Sequence, residues 1–457
     1  ISGGAYNSAY GYASVVSGGV QNTVIGQYGV IAGGIDNYVD DYVYSAISGG
    51  NSNTLYAAYS FIGGGGFNKV YDTYSGVTGG FSNSVSGAWS IIAGGMYNRL
   101  TASADLSVIE GGEYNTATAA YTSIIGGSSN RVDGTWGTIG GGLANYVASS
   151  GGAIAGGKTN TALAWGSSII GGLSNLATGF SAVIGGGLEN TAAGAYAVVS
   201  GGQYNINTGD YANIGGGITN TVSGTYSFVG GGINNINSGY ASAIAGGNSN
   251  TVPGTNYAYI GGGAANIASG YGSYIEGGIA SVASSAYSGV GGGAYNRAAG
   301  SYSYVAGGGY NSALADYTTV AGGYENQVTG SYSNINGGIY NSVSGSFSSV
   351  EGGYSNTVTG DYTVIGGGFY NTAMDSHYST IMGGNGNKLV QGSFMVAGGG
   401  TNNYAYGDYS IIFGGASNTI VSGQGNQIMA GIGSLVTGDD DTIWNYIGGG
   451  SAHLIEY

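Results

Sequence analysis

One stretch of the chain, residues 152–159, reads Gly-Ala-Ile-Ala-Gly-Gly-Lys-Thr and matches the phosphate-binding loop G-x-x-x-x-G-K-[ST]. That loop binds phosphate when a strand precedes it, a helix follows it and an acidic residue holds Mg²⁺. Here the two glycines and Lys158 keep the phase of a repeat that continues at Asn160 and beyond. We therefore interpret the match as a coincidence of the glycine-rich composition.

The other residue types that bind metals are sparse. His377 and His453 lie far apart in a chain without cysteine, and two histidines do not make a metal site. Asp439, Asp440 and Asp441 could offer carboxylate oxygens to Ca²⁺. Their spacing does not match the Gly-Gly-x-Gly-x-Asp repeat of calcium-binding β-rolls, and a solvated turn is the favoured interpretation.

Isolated acidic residues, such as Glu110, Glu276 and Glu351, recur near Gly-Gly pairs. Glycoside cleavage needs two carboxyl groups that face each other across a cleft, which a regular repeat does not provide. We interpret these residues as solvent-facing charges. The sequence therefore predicts a protein that is not an enzyme, with no catalytic residue, no cofactor and no metal.

Composition narrows the class of protein further. The 457 residues include 101 Gly, 42 Tyr, one Pro and no Cys, and only 6% are charged. The formal charge of −15 argues against a nucleic-acid partner, because phosphate binding needs clustered Lys and Arg. No run approaches the roughly 20 apolar residues of a membrane helix. The chain begins within a repeat, so we expect a mature product or a fragment of a longer protein.

An internal repeat organises almost all of the chain. Asparagine recurs from Asn7 to Asn418 at 28 positions with one exception, Ser281, and most intervals are fifteen residues. With this Asn as position 0, an apolar residue stands at +2, an aromatic at +6, Ser, Thr or Ala at +7, Val or Ile at +9, and Gly-Gly at +11 and +12. Disordered glycine-rich tracts rarely keep residue types at fixed repeat positions over such a length.

The period predicts an all-β fold, a parallel β-solenoid (β-roll) of about 28 fifteen-residue coils. Glycine at this density disfavours helix, whereas the β-branched and tyrosine content suits strands. At a strand spacing of about 4.8 Å the coils would stack into a rod of roughly 130 Å. We expect positions 0, +2, +7 and +9 to face inward.

The inward asparagines are predicted to form a structural ladder in which each amide bonds the coils above and below. A local gap is expected at Ser281. Representative members of this Asn ladder are Asn22, Asn83, Asn130, Asn175, Asn220, Asn250, Asn311 and Asn356.

The two outward faces differ in chemistry. Position +1 holds five of the six cations, with many Thr and Ser, and is predicted to be hydrated. Position +8 holds no Lys or Arg and is often apolar. An apolar stripe of this length exceeds what a monomer normally exposes, so we expect it to be an oligomer face, most simply of a homotrimer. The residues chosen for this face are Phe61, Ile91, Val198, Phe228 and Val364, with Met395 also assigned to position +8.

Tyrosines at +6 are predicted to form a surface column that stacks from coil to coil. Stacking between coils is the simpler role, and amphipathic surface for sugars or protein partners is the functional one. The column includes Tyr28, Tyr59, Tyr196, Tyr226 and Tyr362. The repeat supports two segments: residues 1–418 as the β-solenoid rod, and residues 419–457 as irregular terminal coils or a cap.

The phrase Tyr-Ser-x-Ile-x-Gly-Gly-x-x-Asn-x-Val-x-Gly resembles the head repeats of YadA-like trimeric autotransporter adhesins. This resemblance spans nearly all of residues 1–418. It implies a left-handed parallel β-roll, an intertwined homotrimer, display on the cell surface, and binding to host matrix, glycans or other cells. The chain departs from those adhesins in its fifteen-residue coil, its Gly-Gly pairs and its tyrosine columns.

Half-repeats such as Ser82-Asn83-Ser84-Val85-Ser86-Gly87 also resemble those of grass ice-binding proteins. Against ice binding, the +1 row mixes Thr with Lys, Arg, Tyr and Ile. Phage tail and receptor-binding fibres use comparable trimeric β-rods and stay open as a third interpretation. We expect an extracellular or cell-surface fibrous rod, structural or adhesive, whose partners include copies of itself. End-to-end joining into filaments stays open.

Overall fold

A computed structural model describes residues 1–437 and 445–456. These residues form an all-β parallel solenoid of about 29 coils, each of about fifteen residues, and none of them lies in an α-helix. The predicted fold class is confirmed. The chain divides into two units, Ile1–Gly231 and Gly232–Tyr457. The run Asp439–Asp441, considered above for Ca²⁺, lies outside the described residues.

Each coil contributes two short strands, at positions +1 and +2 and at +8 and +9. Within each unit the strands pair in parallel with the equivalent strands of neighbouring coils, as Ser84 does with Lys69 on one side and Arg99 on the other. Sheet 1 is the ladder of first strands and sheet 2 the ladder of second strands. Because one register holds within each unit, the same repeat position lies on the same face in the coils of that unit.

The strands of the first unit are as follows. Sheet 1 contains Ser8–Ala9, Thr23–Val24, Tyr38–Val39, Thr54–Leu55, Lys69–Val70, Ser84–Val85, Arg99–Leu100, Thr116–Ala117, Arg131–Val132, Tyr146–Val147, Thr161–Ala162, Leu176–Ala177, Thr191–Ala192, Ile206–Asn207 and Thr221–Val222. Sheet 2 contains Val15–Val16, Val30–Ile31, Ala46–Ile47, Phe61–Ile62, Gly76–Val77, Ile91–Ile92, Val108–Ile109, Ser123–Ile124, Thr138–Ile139, Ala153–Ile154, Ser168–Ile169, Val183–Ile184, Val198–Val199, Asn213–Ile214 and Phe228–Val229.

The second unit repeats the arrangement. Its sheet 1 contains Ile236–Asn237, Thr251–Val252, Ile267–Ala268, Val282–Ala283, Arg297–Ala298, Ser312–Ala313, Gln327–Val328, Ser342–Val343, Thr357–Val358, Thr372–His377, Lys388–Ser393, Tyr404–Tyr406, Thr419–Ile420, Leu435–Thr437 and Leu454–Glu456. Its sheet 2 contains Ala243–Ile244, Tyr259–Ile260, Tyr274–Ile275, Gly289–Val290, Tyr304–Val305, Thr319–Val320, Asn334–Ile335, Ser349–Val350, Val364–Ile365, Thr380–Ile381, Val396–Ala397, Ile411–Ile412, Gln427–Ile428 and Tyr446–Ile447. A small third pair is Gly415–Ala416 with Gly431–Ile432.

The core is one residue deep on each side. In the coil of Asn83, the side chains of Asn83, Val85, Ser90 and Ile92 are all fully buried, at positions 0, +2, +7 and +9. Burying an aliphatic side chain of this size contributes about 1.5–3 kcal/mol. This coil supplies two, whereas others bury Ala or Asn at +2, as at Ala117 and Asn207. Stability therefore comes from many equal layers rather than from one large core.

Corners of the coil differ from expectation in two ways. A third row of parallel contacts follows the Gly-Gly pair, one residue per coil, as in Gly66 with Phe81 and Phe81 with Met96. The residues at +6 and −1 also adopt positive φ, including Tyr59 at 54° and Tyr97 at 56°. Non-glycine residues rarely adopt this left-handed conformation. Here the corner repeats it in most coils at both positions, and the following inward residue is Asn after −1, apart from Ser281, and a small residue, most often Ser, after +6.

The coils with an extra residue accommodate it locally. Thr372–His377 and Lys388–Ser393 extend as six-residue strands that pair with each other through the corner. The insertion shifts Met395 to the inward position, where its side chain is fully buried. The assignment of Met395 to the outward row was wrong, because the extra residue lies before it in the coil. Val396 is the outward strand residue instead.

Candidate functional site: the amide ladder and the exposed side-chain rows

The asparagine ladder is built mainly from amide-to-backbone hydrogen bonds. In the coil of Asn83, the backbone N–H donates to Asn68 Oδ1 at 3.0 Å. Asn83 Nδ2 donates to Gly79 O at 3.2 Å and to Gly95 O at 2.9 Å. Each side chain thus joins three coils and bonds carbonyls of two successive Gly-Gly corners. Of these two, Gly95 O also accepts the backbone N–H of Phe81.

The asparagines selected from the sequence all occupy this position. Each has a buried side chain and donates its backbone N–H to the Oδ1 of the register Asn one coil before, at 2.9–3.0 Å: Asn22, Asn83, Asn130, Asn175, Asn220, Asn250, Asn311 and Asn356. Direct amide-to-amide bonds form in some coils only, such as Asn175 Nδ2 to Asn160 Oδ1 at 3.1 Å. The ladder differs from the expected one because both Nδ2 hydrogens point towards glycine carbonyls.

The ladder explains why the second glycine of each pair is required. Gly80 has φ of +96°, and a Cβ there would lie 2.1 Å from Gly95 O and 2.6 Å from Asn83 Nδ2. The first glycine, Gly79, has open space around the same position. The two glycines therefore have different roles: close approach at the second, and presentation of a carbonyl at the first.

At Ser281 the ladder is interrupted on one side. The Ser281 N–H still donates to Asn266 Oδ1 at 2.9 Å. The Ser281 hydroxyl donates to Ile279 O at 3.4 Å. Ser281 has no side-chain amide to bind the carbonyls of Gly277 and Gly293, and Gly293 O keeps only the backbone N–H of Ile279. Asn296, one coil later, keeps its own Nδ2 bonds to Gly292 O and Gly308 O. The disturbance reaches the N–H of Asn296, which has no Oδ1 acceptor one coil before it, but leaves the Nδ2 bonds of Asn296 unchanged.

Tyrosines of the +6 column stack face to face over long runs. In the second unit, nine consecutive rings lie with centroids 4.7–5.2 Å apart and planes within 18°: Tyr287, Tyr302, Tyr317, Tyr332, Phe347, Tyr362, Tyr378, Phe394 and Tyr409. In the first unit a shorter run joins Tyr28, Tyr44, Tyr59, Tyr74 and Trp89. Tyr196, Tyr211 and Tyr226 form another.

Stacking leaves ring edges and hydroxyls, not ring faces, towards solvent. Tyr28, Tyr59, Tyr196, Tyr226 and Tyr362 are each about half exposed. The pKa of Tyr287 is raised by desolvation and by its neighbours Tyr271 and Tyr302. Since each face is covered by the next ring, the column presents a line of phenol groups rather than flat surface for a sugar ring.

A second aromatic row lies at positions −1 and −2. Tyr295 and Tyr310 stack at 4.7 Å, and the rings that follow meet edge to face. The members of this row in the second unit are Tyr295, Tyr310, Tyr324, Tyr340, Tyr354 and Tyr370. Sequence reasoning missed it because the aromatic alternates between two positions of the repeat.

Aspartates at +5 are a further feature that sequence reasoning missed. Asp316 Oδ1 accepts the backbone N–H of Ser301, one coil before, at 2.7 Å, and Asp361 accepts that of Ser346 at 2.7 Å. Asp210 and Asp408 repeat the contact. The recurrence of Asp at +5 was the signal that could have found these corner bonds.

A polar cluster beside sheet 1 joins the +1 residues Arg131 and Tyr146 with the +3 residues Thr118 and Asp133. Asp133 accepts hydrogen bonds from Thr118 at 2.7 Å, from Arg131 at 2.8 and 2.9 Å and from Tyr146 at 3.0 Å. Burial raises the pKa of Asp133, but these hydrogen bonds outweigh it and the net pKa lies below the ordinary value. Burial and the bond to Asp133 raise the pKa of Tyr146.

One other tyrosine of the same row is strongly perturbed. The hydroxyl of Tyr38 donates to Asp40 Oδ1 at 2.9 Å. Burial, followed by this hydrogen bond to the carboxylate, raises the pKa of Tyr38 to about 12. The +1 face is therefore polar but irregular, with local clusters rather than one continuous array of hydroxyl groups.

The +8 row on sheet 2 changes character along the chain. In the first unit, Phe61, Ile91 and Phe228 are 40–42% exposed and Val198 is partly exposed. Between the bulky members, small residues leave a shallow groove of about 310 Å³ that is bordered by Ile125 and Ile170. In the second unit, Val364 is partly exposed, but the row also contains Tyr259, Tyr274, Gly289 and Tyr304.

Residues 152–159 and His377 take part in the regular contacts between coils. Residues 152–159 contain the strand Ala153–Ile154, and Lys158 makes single-residue parallel contacts with Leu143 and Leu173. His377 Nδ1 accepts the backbone N–H of Asp361 at 3.1 Å. Within 1–437 and 445–456, no three His, Asp or Glu side chains are grouped to hold a metal ion. No helix long and apolar enough to span a membrane occurs in those ranges.

The amide ladder lies inside the coils. The surface carries two aromatic rows, a polar +1 row, and a +8 row that is mostly apolar or small in the first unit and tyrosine-rich in part of the second. Comparison with known proteins finds no family model and no curated protein that matches this chain.

Proposed function

We propose that this protein is an extracellular fibrous rod with a structural and adhesive role. The observation that carries the proposal is the single register that each unit maintains. Backbone strands, buried amides and exposed rings all contact their equivalents in the next coil. Such one-dimensional stacking gives a stiff element that can be lengthened by adding coils.

The surface supports the adhesive part of the proposal. Side chains of one type repeat along each unit at the spacing of the coils, as in the nine-ring column from Tyr287 to Tyr409. Regular arrays favour binding that is weak at one coil and strong over many, because the contacts share one rigid scaffold. The acidic composition, with a formal charge of −15, keeps such rods soluble through mutual repulsion.

Lateral self-association is assigned to the +8 row of the first unit. Phe61, Ile91 and Phe228 expose about two fifths of their surface, and the groove between Ile125 and Ile170 could receive such side chains from another copy. Two copies of this chain share one coil spacing, so their rows stay in phase over many coils. A homotrimer about a threefold axis is the simplest closed arrangement.

Electron microscopy of the purified chain tests the rod. Straight particles of uniform width are expected, and compact globular particles would contradict the proposal. A surface-retention assay on extracellular matrix, cells and polysaccharides tests adhesion. Thermal hysteresis with no retention would favour the ice-binding alternative instead, and specific retention on bacterial receptors would favour the phage fibre.

Sedimentation tests the self-association. The double variant Phe61→Ser, Ile91→Ser is expected to reduce the assembled mass, because it removes apolar surface without touching the core. The matched control is Lys69→Ser, which changes the opposite sheet. Equal mass for the double variant and the parent would exclude the +8 row as the contact between copies.

A further inference from the structure

The coil that begins at Ser281 has no side chain on the outer surface of its second strand. Its outward positions are Gly289 and Gly291, on either side of the buried Val290. Neither glycine is required by backbone conformation, because neither has a positive φ. Other coils carry Thr, Val or Ser at the equivalent of Gly289, so a side chain is compatible with the fold there.

Two tyrosines from the neighbouring coils occupy the space above these glycines. The Tyr274 ring lies where a side chain on Gly289 would be, with its Cζ 2.3 Å and its hydroxyl 2.6 Å from the Cβ that Gly289 lacks. The hydroxyl of Tyr304 lies 2.8 Å from the corresponding Cβ position of Gly291. The rings are 6.2 Å apart between centroids, and their planes differ by 27°.

A third tyrosine and a carboxylate complete the patch. Tyr259, which pairs with Tyr274 in sheet 2, places its hydroxyl 3.2 Å from the missing Cβ of Gly261. Glu276 follows Tyr274 by two residues and is exposed, and desolvation, Tyr304 and Glu276 together raise the pKa of Tyr274. We name Tyr259, Tyr274, Tyr304 and Glu276 the tyrosine platform.

The platform differs from the +6 column in how its rings face solvent. In the column each ring face is covered by the next ring. On the platform, the Tyr274 ring covers the space above Gly289, and Tyr274 and Tyr304, whose ring centroids are 6.2 Å apart, are each partly exposed. Flat aromatic faces beside a hydrogen-bond acceptor suit a ligand whose rings have an apolar face and polar edges.

We propose that the tyrosine platform binds a neutral polysaccharide chain of pyranose rings. The C–H face of a pyranose packs on the outward ring of Tyr274, and its hydroxyls donate to Glu276 and exchange hydrogen bonds with the tyrosine hydroxyls. The row runs along the solenoid, so an extended glycan lies across successive coils. This inference deepens the adhesive part of the proposed function.

Charge selects a neutral glycan over other ring-bearing polymers. Nucleic-acid bases also stack on aromatic rings, but their phosphates need cationic partners. The platform carries Glu276, and the chain has six cations against 21 acidic residues. Arg297, in the coil of Tyr304, belongs to the opposite sheet. Anionic glycans are disfavoured for the same reason.

Native gel electrophoresis in gels that contain a soluble polysaccharide tests the platform. Laminarin and hydroxyethyl cellulose are the neutral probes, and alginate and poly(dT) are the anionic ones. The parent chain is expected to be retarded by a neutral probe. The double variant Tyr274→Ala, Tyr304→Ala is expected to weaken that binding about tenfold, because it removes both rings.

A second variant keeps both tyrosines and replaces the glycine over which the Tyr274 ring lies. Gly289→Thr reproduces the outward residue of the Thr319 coil, so the fold is kept while the Tyr274 ring is displaced. We expect it to weaken retardation as the double variant does. The matched control is Thr319→Ala, which changes an outward residue of the same row in the second unit and removes no ring.

Three outcomes would overturn the platform as a glycan site. These are retardation by neither neutral probe, retardation that the two platform variants leave unchanged, and platform-dependent retardation by alginate or poly(dT) instead. A fall in assembled mass on Tyr274→Ala would assign the patch to contact between copies and would also overturn it. Rod-shaped particles and surface retention by the parent chain are measured separately, so the proposed function can stand if the platform fails.

Discussion

The side-chain Nδ2 of Asn83 lies 2.9 Å from the carbonyl oxygen of Gly95, twelve residues later in the chain. This one contact accounts for the two most regular features of the repeat. The Asn83 amide can reach this carbonyl because Gly80, three residues before Asn83, has no Cβ; a Cβ there would lie 2.6 Å from Nδ2. A change at either residue should therefore destabilise the same corner.

Replacing Asn83 tests the ladder. Asn83→Ala removes the acceptor of the buried Asn98 N–H and the donor to Gly79 O. A buried backbone group without a partner costs about 1–3 kcal/mol, so we expect a loss of about that size and faster hydrogen exchange at residue 98. Asn83→Ser, which copies Ser281, should cost less because a hydroxyl oxygen remains. Equal exchange in parent and Ala variant would contradict this role.

The converse change at the interrupted position should stabilise the chain. Ser281→Asn offers Nδ2 to the carbonyls of Gly277 and Gly293 and Oδ1 to the N–H of Asn296. We expect a gain of about 1 kcal/mol, the usual net value of an intramolecular hydrogen bond, visible as a higher denaturation midpoint. An unchanged or lower midpoint would mean that this coil cannot accept the amide.

The two glycines of a corner should respond differently to a methyl group. Gly80→Ala places a Cβ 2.1 Å from Gly95 O on a backbone with φ of +96°, and we expect a loss of at least about 2 kcal/mol. Gly79→Ala, with no atom within 4 Å of the new Cβ, is the control and should change stability little. Urea denaturation of the two variants gives the comparison. Similar losses would refute the distinction.

At Tyr332 the stabilisation by ring stacking can be measured separately from the cost of the left-handed backbone. Tyr332 has φ of 57° and stacks on Tyr317 and Phe347 at 4.8 and 4.9 Å. Tyr332→Ala loses both stacked pairs, each worth about 0.5–1.5 kcal/mol, and keeps the left-handed backbone. Tyr332→Gly loses the same stacking but relieves the strain, so it should be about 1 kcal/mol more stable than the Ala variant. Thermal unfolding measures both, and a Gly variant less stable than Ala would contradict the strain.

The Asp133 cluster predicts a local pH dependence. The pKa of Asp133 in the folded chain is lowered, so its contribution to stability is present above the ordinary aspartate pKa and is lost as the pH falls through the folded value. We expect hydrogen exchange around residues 118–146 to accelerate in acid. Thr118→Val should raise the pKa of Asp133 and shift that acceleration to higher pH. No shift would exclude the hydroxyl as a determinant.

The sequence alone determined the fold, because a period that repeats so often has one simple solution. Asn at 0, Val or Ile at +2 and +9, and Ser at +7 alternate with outward residues, and a one-residue slip would expose all of them together. Fifteen-residue spacing then brings like residues into parallel register, as in Val85 with Val70 and Leu100.

Details that depend on how one coil lies on the next were decided only by the tertiary structure. The partners of the Asn83 amide, the left-handed conformation at Tyr332 and the inward position of Met395 are not properties of any single repeat. The Tyr274 platform is the clearest case. Its ring lies flat because the next coil, fifteen residues away, has glycine at the position where other coils have a side chain.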